Sequence, residues 1–138
     1  MEAYPEIYKR ILEEGHQVGN HTQHHINGWK TGTETYLADV AAASKHIQSN
    51  LFRPPYGRIK GAQAKRMKAY KIIMWDVLSG DFDESLSKEK CLSNVTGHAN
   101  PGSIIVFHDS AKAFPRLAYA LQGTLAFFSK KGYSFKKI

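Results

Sequence analysis

Apolar positions along this chain switch repeatedly between helical spacing and short unbroken runs. Over residues 3–14, Tyr4, Ile7, Tyr8, Ile11 and Leu12 fall on one helical face, Pro5 suits the first turn and Gly15 stops it. Residues 17–20 read as a short strand. A second helix is predicted from Thr33 or Thr35, either of which suits its cap, to about Ser49, with Tyr36, Leu37, Val40, Ala43 and Ile47 on its inner face. Leu51-Phe52 is a brief strand running into Arg53-Pro54-Pro55-Tyr56-Gly57, where two prolines forbid helix and limit strand pairing. A short helix follows over residues 62–69, then a buried strand over residues 71–77. Ser87 caps a helix to about His98, and Pro101-Gly102 is a turn. The strongest strand is Ser103-Ile104-Ile105-Val106-Phe107, a long helix is predicted over residues 113–131 with Pro115 in its first turn, and residues 133–137 read as a last strand.

Strand and helix in alternation predict an α/β fold with parallel strands and crossover helices, formed by one domain over residues 1–138. In such folds chemistry gathers at the carboxyl ends of strands. The ionisable residues follow that rule: His21 and His25 after one strand, Arg53 and Tyr56 after the next, then Asp76 and Asp81, then His108 and Asp109. These strand ends are expected to meet on one rim.

Composition adds bounds. With 138 residues, 42% hydrophobic and 22% charged, the chain has room for a sizeable core. No apolar run approaches the roughly 20 residues of a membrane span, and Met1-Glu2-Ala3-Tyr4-Pro5-Glu6 shows no signal-peptide pattern. The net charge of +7 is spread over small clusters (Lys65-Arg66-Lys68, Lys130-Lys131, Lys136-Lys137) with no nucleic-acid motif, so no nucleic-acid partner is expected. Cys91 has no partner for an intrachain disulfide and reads as a small buried residue.

The densest candidate chemistry is His21-Thr22-Gln23-His24-His25. On one helical turn His21 and His25 would share a face and converge on one divalent metal, and imidazole suits zinc. By the same spacing His24 points away. His16 reads as structural, and His46 and His98 as surface residues on helices.

Four ordered segments carry a resemblance to a known family. They are Glu14-Gly15-His16-Gln17-Val18-Gly19-Asn20-His21-Thr22-Gln23-His24-His25, Arg53-Pro54-Pro55-Tyr56-Gly57, Trp75-Asp76-Val77-Leu78-Ser79-Gly80-Asp81-Phe82 and Ile104-Ile105-Val106-Phe107-His108-Asp109. From about Tyr4 to the end the chain resembles the polysaccharide deacetylases, carbohydrate esterases that remove acetyl groups from sugar polymers. The resemblance implies a distorted (β/α) barrel and a divalent metal, most often zinc, held by His21 and His25, with Thr22 bracing the loop between them. It implies that the Tyr56 N–H binds the oxyanion, that Arg53 orients the acidic catalytic group, and that His108 is the general acid. Trp75, Leu78, Phe82 and Phe107 become candidate walls of an acetyl and sugar pocket.

Two departures from the family pattern stand out. The Thr-Phe-Asp-Asp-Gly strand, which would carry the base and the third metal ligand, does not occur in this sequence. Met1 would fall inside the helix after the second strand, so the first strands are expected to be absent, leaving an open barrel edge across which a homodimer is expected. Further along, Leu78 stands where the family often has the aspartate that pairs with the acid histidine, so Asp76 or Asp81 is expected to take that part. The implied reaction is metal-dependent removal of N-acetyl groups from N-acetylglucosamine-containing glycans. The alternatives are O-deacetylation of a polysaccharide, or a carbohydrate- or metal-binding remnant without catalysis. An extracytoplasmic or envelope location follows only from the resemblance.

Overall fold

The computed structural model describes residues 4–138. Ala3, the predicted first residue of the opening helix, and the first residues of the expected leaderless start lie outside them. The chain divides into two compact units, the first running to Met74 and taking in Lys137–Ile138, the second Trp75–Lys136.

In the first unit, helix α1 (Pro5–Glu13) has Pro5 in its first turn, where the missing N–H would be unpaired anyway, and Glu6 beside it. Gly15 leaves the helix at φ +81°, a conformation that a side chain would strain. The apolar face predicted for α1 is only partly covered among the described residues: Tyr8 and Ile11 are half-buried, while Tyr4, Ile7 and Leu12 are exposed. The strand predicted over residues 17–20 is reduced to a parallel bridge between Asn20 and Phe52. Helix α2 (Thr33–Ser44) starts after Gly32, so neither Thr33 nor Thr35 is its cap, and it stops short of Ser49. Strand β1 (Leu51–Phe52) and strand β2 (Lys71–Ile72) pair in parallel on either side of helix α3 (Gly61–Arg66). Tyr36, Val40, Phe52 and Met67 form the core, with Ile26, Leu37, Ile59, Tyr70 and Ile72 packed around them. Burying each such side chain contributes about 1.5–3 kcal/mol. Phe52 lies edge-on between Tyr36 and Tyr70, at ring separations of 6.3 and 5.9 Å. Burial first, and then the charge of Asp39, push the Tyr36 phenol up to about 12, so it stays neutral.

In the second unit, strand β3 (Val77–Leu78) pairs in parallel with strand β4 (Ile105–Val106). Helix α4 (Lys88–Thr96) opens on Ser87, whose hydroxyl accepts the Lys90 N–H at 3.1 Å, as its cap position predicts. Helix α5 (Phe114–Lys130) carries Pro115 in its first turn and lies close to α4 at Gly123, where a Cβ would stand 2.8 Å from Leu92. Val77, Val95 and Phe128 are the core here.

Two predicted strands need correction. The run over residues 71–77 is not one strand; β2 and β3 belong to different two-stranded sheets. Between them the Asp76 carboxylate accepts the Ser103 hydroxyl at 2.6 Å and the Ile104 N–H at 2.7 Å, a side-chain claim on groups that continued pairing would use. Residues 133–137 form no strand; Tyr133 instead folds back, its N–H on the Phe128 carbonyl and its ring 5.1 Å from that of Phe128.

Candidate active site

In the first unit the site begins with Asn20, which is 1% exposed. Its amide donates to the Val40 carbonyl at 2.9 Å and the Ser44 hydroxyl at 3.0 Å, and its oxygen accepts the Thr22 N–H at 2.9 Å. The loop that follows is not the helical turn expected from the spacing of His21 and His25. Thr22 and His25 both adopt left-handed conformations, at φ +63° and +54°. Such non-glycine residues cost on the order of 1–3 kcal/mol each and persist only where their surroundings impose them. Three groups impose them here. Asn20 holds Thr22; the Thr22 hydroxyl accepts the Ile26 N–H at 3.2 Å. Asp39 on α2 takes both the backbone N–H (3.0 Å) and Nδ1 (2.5 Å) of His24. Burial would raise the Asp39 carboxyl, but the hydrogen bonds from His24 outweigh it and hold the group below its ordinary range. His24, expected in solvent, is thus the clamp of the loop.

The strained path brings the two predicted ligands together, with imidazole centroids 4.9 Å apart and edge-on. His21 Nδ1 lies 2.6 Å from the Arg53 carbonyl. A carbonyl only accepts, so Nδ1 carries the proton, the arrangement needed by a histidine that ligates a metal through Nε2. Tyr56 stands edge-on to His25 at 4.7 Å, 59% exposed, and is the third left-handed non-glycine residue of the described chain, at φ +57°. Arg53 donates from Nε to the Ile73 carbonyl at 3.4 Å, and burial pushes its guanidinium pKa down. Among the described residues no group of three or more His, Cys, Asp or Glu side chains is placed to hold a metal. The two imidazoles and the carbonyl behind His21 fit part of a zinc site, which ordinarily takes three protein ligands when catalytic.

In the second unit Asp81 is fully buried. One carboxylate oxygen accepts the His108 backbone N–H at 2.7 Å and the other accepts its Nδ1–H at 2.8 Å. Arg116 donates Nε to the Asp81 carbonyl at 2.7 Å, and Phe82 lies edge-on to His108 at 4.8 Å. The bend that delivers Asp81 depends on Gly80 at φ +80°, where a Cβ would meet Leu86 at 2.8 Å. Of the two aspartates considered for His108, Asp81 makes the pair; Asp76 is held by Ser103 and Ile104 ahead of β3. Leu78 and Phe82 are partly exposed on the segment leading to Asp81, and Trp75 is half-buried before it.

Asn20, Asp39 and Arg116 are missed by sequence reasoning because their bonds join residues 15–35 positions apart, where no local pattern marks them. His46 and His98, expected on helices, lie two residues past the ends of α2 and α4; His98 bonds the Asn94 carbonyl of α4, and Asp109 is exposed. A cavity of about 700 Å³ in the first unit is lined by Tyr8, Leu12, His16, Lys45, His46 and Leu51 among others, and by none of the predicted site residues. Replacing Asn20 with Ala removes three buried or half-buried bonds and is expected to cost about 1–3 kcal/mol, read as a lower urea midpoint at unchanged slope.

Two parallel strand pairs, a loop that brings two imidazoles together and a carboxylate-held imidazole define an α/β protein. The family profile described as Polysaccharide deacetylase matches residues 1–75. A peptidoglycan-N-acetylglucosamine deacetylase of Bacillus cereus is 30% identical over 139 residues, covering 95% of this chain and 65% of its own length. A peptidoglycan-N-acetylglucosamine deacetylase of Listeria monocytogenes is 32% identical over 143 residues, covering 97% and 29%. The crystal structure of a peptidoglycan N-acetylglucosamine deacetylase bound to a naphthalenyl N-oxidanyl-benzamide matches with a TM-score of 0.87 and 29% identity, over 99% of this chain and 68% of that one. The chain belongs to the polysaccharide deacetylase family, and its mixed helix-and-strand fold matches that of the solved deacetylase. It spans less than two thirds of the length of these curated relatives. No helix among the described residues is long and apolar enough to cross a membrane.

Proposed function

We propose that this chain supplies the metal-holding and acid side chains of a polysaccharide N-deacetylase acting on N-acetylglucosamine-containing glycans. The observation that carries the reading is the His21–His25 pair, with His21 fixed by the Arg53 carbonyl in its ligating tautomer. Bound there, a divalent metal, zinc by the preference of imidazole, supplies Lewis acidity towards an acetyl carbonyl. The chain's own residues do the rest. The Tyr56 N–H, on its left-handed turn, donates to the oxyanion as water adds to the carbonyl carbon. His108, its Nδ1 proton committed to Asp81, gives a proton from Nε2 to the departing amine as the C–N bond breaks. Acetate and a free amine result. The carboxylate that takes the proton from water is one the resemblance assigns to a segment not in this sequence.

The test is acetate release from N-acetylglucosamine oligomers by zinc-loaded protein. Acetate and free amine are expected in equal amounts. Release from acetylated xylan alone would make the protein an O-esterase. Zinc binding without release from either would reduce it to a binding remnant.

A further inference from the structure

Trp29 is 56% exposed, an unusual setting for an indole that the fold takes trouble to fix. Its Nε1–H donates to the Ile59 carbonyl at 3.2 Å, and the Asn27 side chain accepts its backbone N–H at 3.0 Å. The Arg58 guanidinium lies 4.0 Å from the centre of the ring. Beneath it Gly28 is buried, and a Cβ there would stand 2.4 Å from the Arg58 carbonyl, so only glycine lets the two loops meet. Gln63, fully buried, ties them further through the Gly28 carbonyl at 3.0 Å and the Lys60 N–H at 2.8 Å. These are the loops of the candidate site: Trp29 follows His25 by four residues and Arg58 follows Tyr56 by two, while the Tyr56 and His25 rings are themselves in contact.

Core packing alone does not account for this arrangement, because more than half of the ring is left in solvent. The ring is held at its N–H and by the Arg58 guanidinium that lies over it, and more than half of its surface stays open on the loop that follows His25. The axial C–H groups of a pyranose carry partial positive charge and match such a surface, as aromatic rings match polarised C–H edges. We propose that Trp29 is a stacking platform for a pyranose ring adjoining the one whose acetyl group reacts, with the Arg58 guanidinium over the indole holding it in place. This deepens the deacetylase reading and rests on it: the platform selects oligomeric glycan over single sugars.

The experiment measures calorimetric binding of the N-acetylglucosamine tetramer and monomer to zinc-loaded wild-type, Trp29→Ala and Trp29→Phe proteins, with acetate release and melting temperature followed on the same samples. Trp29→Ala is expected to weaken tetramer binding roughly tenfold and leave the monomer unchanged. It should raise KM for the tetramer with little change in kcat. Trp29→Phe lacks the bond to Ile59 but keeps a ring, and is expected to recover most of the loss. Equal weakening in both variants would mean that the Ile59 bond merely positions the loop, and would overturn the platform. Unchanged tetramer binding in Trp29→Ala would overturn it too, while the wild type's acetate release would leave the deacetylase reading standing. A wild type that neither binds the tetramer nor releases acetate would remove both.

Discussion

Replacing Asp81 with Asn is expected to lower acetate release by roughly 10³-fold or more while the protein remains folded. The carboxylate accepts two hydrogen bonds from one residue, from the backbone N–H and the Nδ1–H of His108. An amide has one accepting oxygen. If that oxygen keeps the backbone N–H, the NH₂ group faces Nδ1 and opposes its proton. The imidazolium form that an acid must pass through then loses its counter-charge, and the ring's tautomer reverses. Shape is nearly conserved, so the melting temperature should move far less than the rate. Asp76→Asn is the internal control, since that carboxylate is engaged with Ser103 and Ile104 and should leave the rate within a few-fold of wild type. Nitrogen chemical shifts of the His108 ring offer a readout independent of turnover: Nδ1 protonated in the wild type, and not in the variant. Wild-type rates in Asp81→Asn, or a larger loss in Asp76→Asn, would remove His108–Asp81 from the acid's role.

The second large effect concerns the metal. Wild-type protein is expected to bind about one zinc per chain. His21→Ala and His25→Ala should each weaken binding by at least about 100-fold, because partners that merely orient a ligand already account for 10–100-fold. His24→Ala separates the structural account from a simple count of histidines. His24 is spent on Asp39, so its loss loosens the loop without removing a donor, and a smaller decrease is expected. Chelator competition followed by metal analysis reads all of these. Equal loss in His24→Ala and His25→Ala would show that the wrong pair has been assigned.

Spacing and residue type in the sequence determined a good deal. Parallel strands, the helix after Ser87, the Gly15 stop and the identity of the chemistry-bearing residues all follow from interactions within a few positions. A cap, a proline in a first turn or an apolar stripe acts through near neighbours, and those are on view in a linear chain. Other matters had to wait for tertiary structure. Local spacing put His21 and His25 on a helical turn; in the fold Asn20 and Asp39, fixed by α2, drive the loop through two left-handed residues and the rings meet by another route. Asp76 and Asp81 stand five positions apart, and nothing in the sequence ranked them; the segment around β4, some 25 residues on, engages the first with Ser103 and Ile104 and presents the second with His108. The run over residues 71–77 that apolar patterning joined is divided between two sheets, because its ends pair with β1 and β4, partners distant in the sequence. Trp29 drew no notice as a residue in a loop and gains its meaning from Arg58, Ile59 and Gln63, some 30 positions away. Local energies select which side chains and elements are available. Long-range hydrogen bonds and close backbone approaches select their partners, and these exist only once the chain has closed on itself.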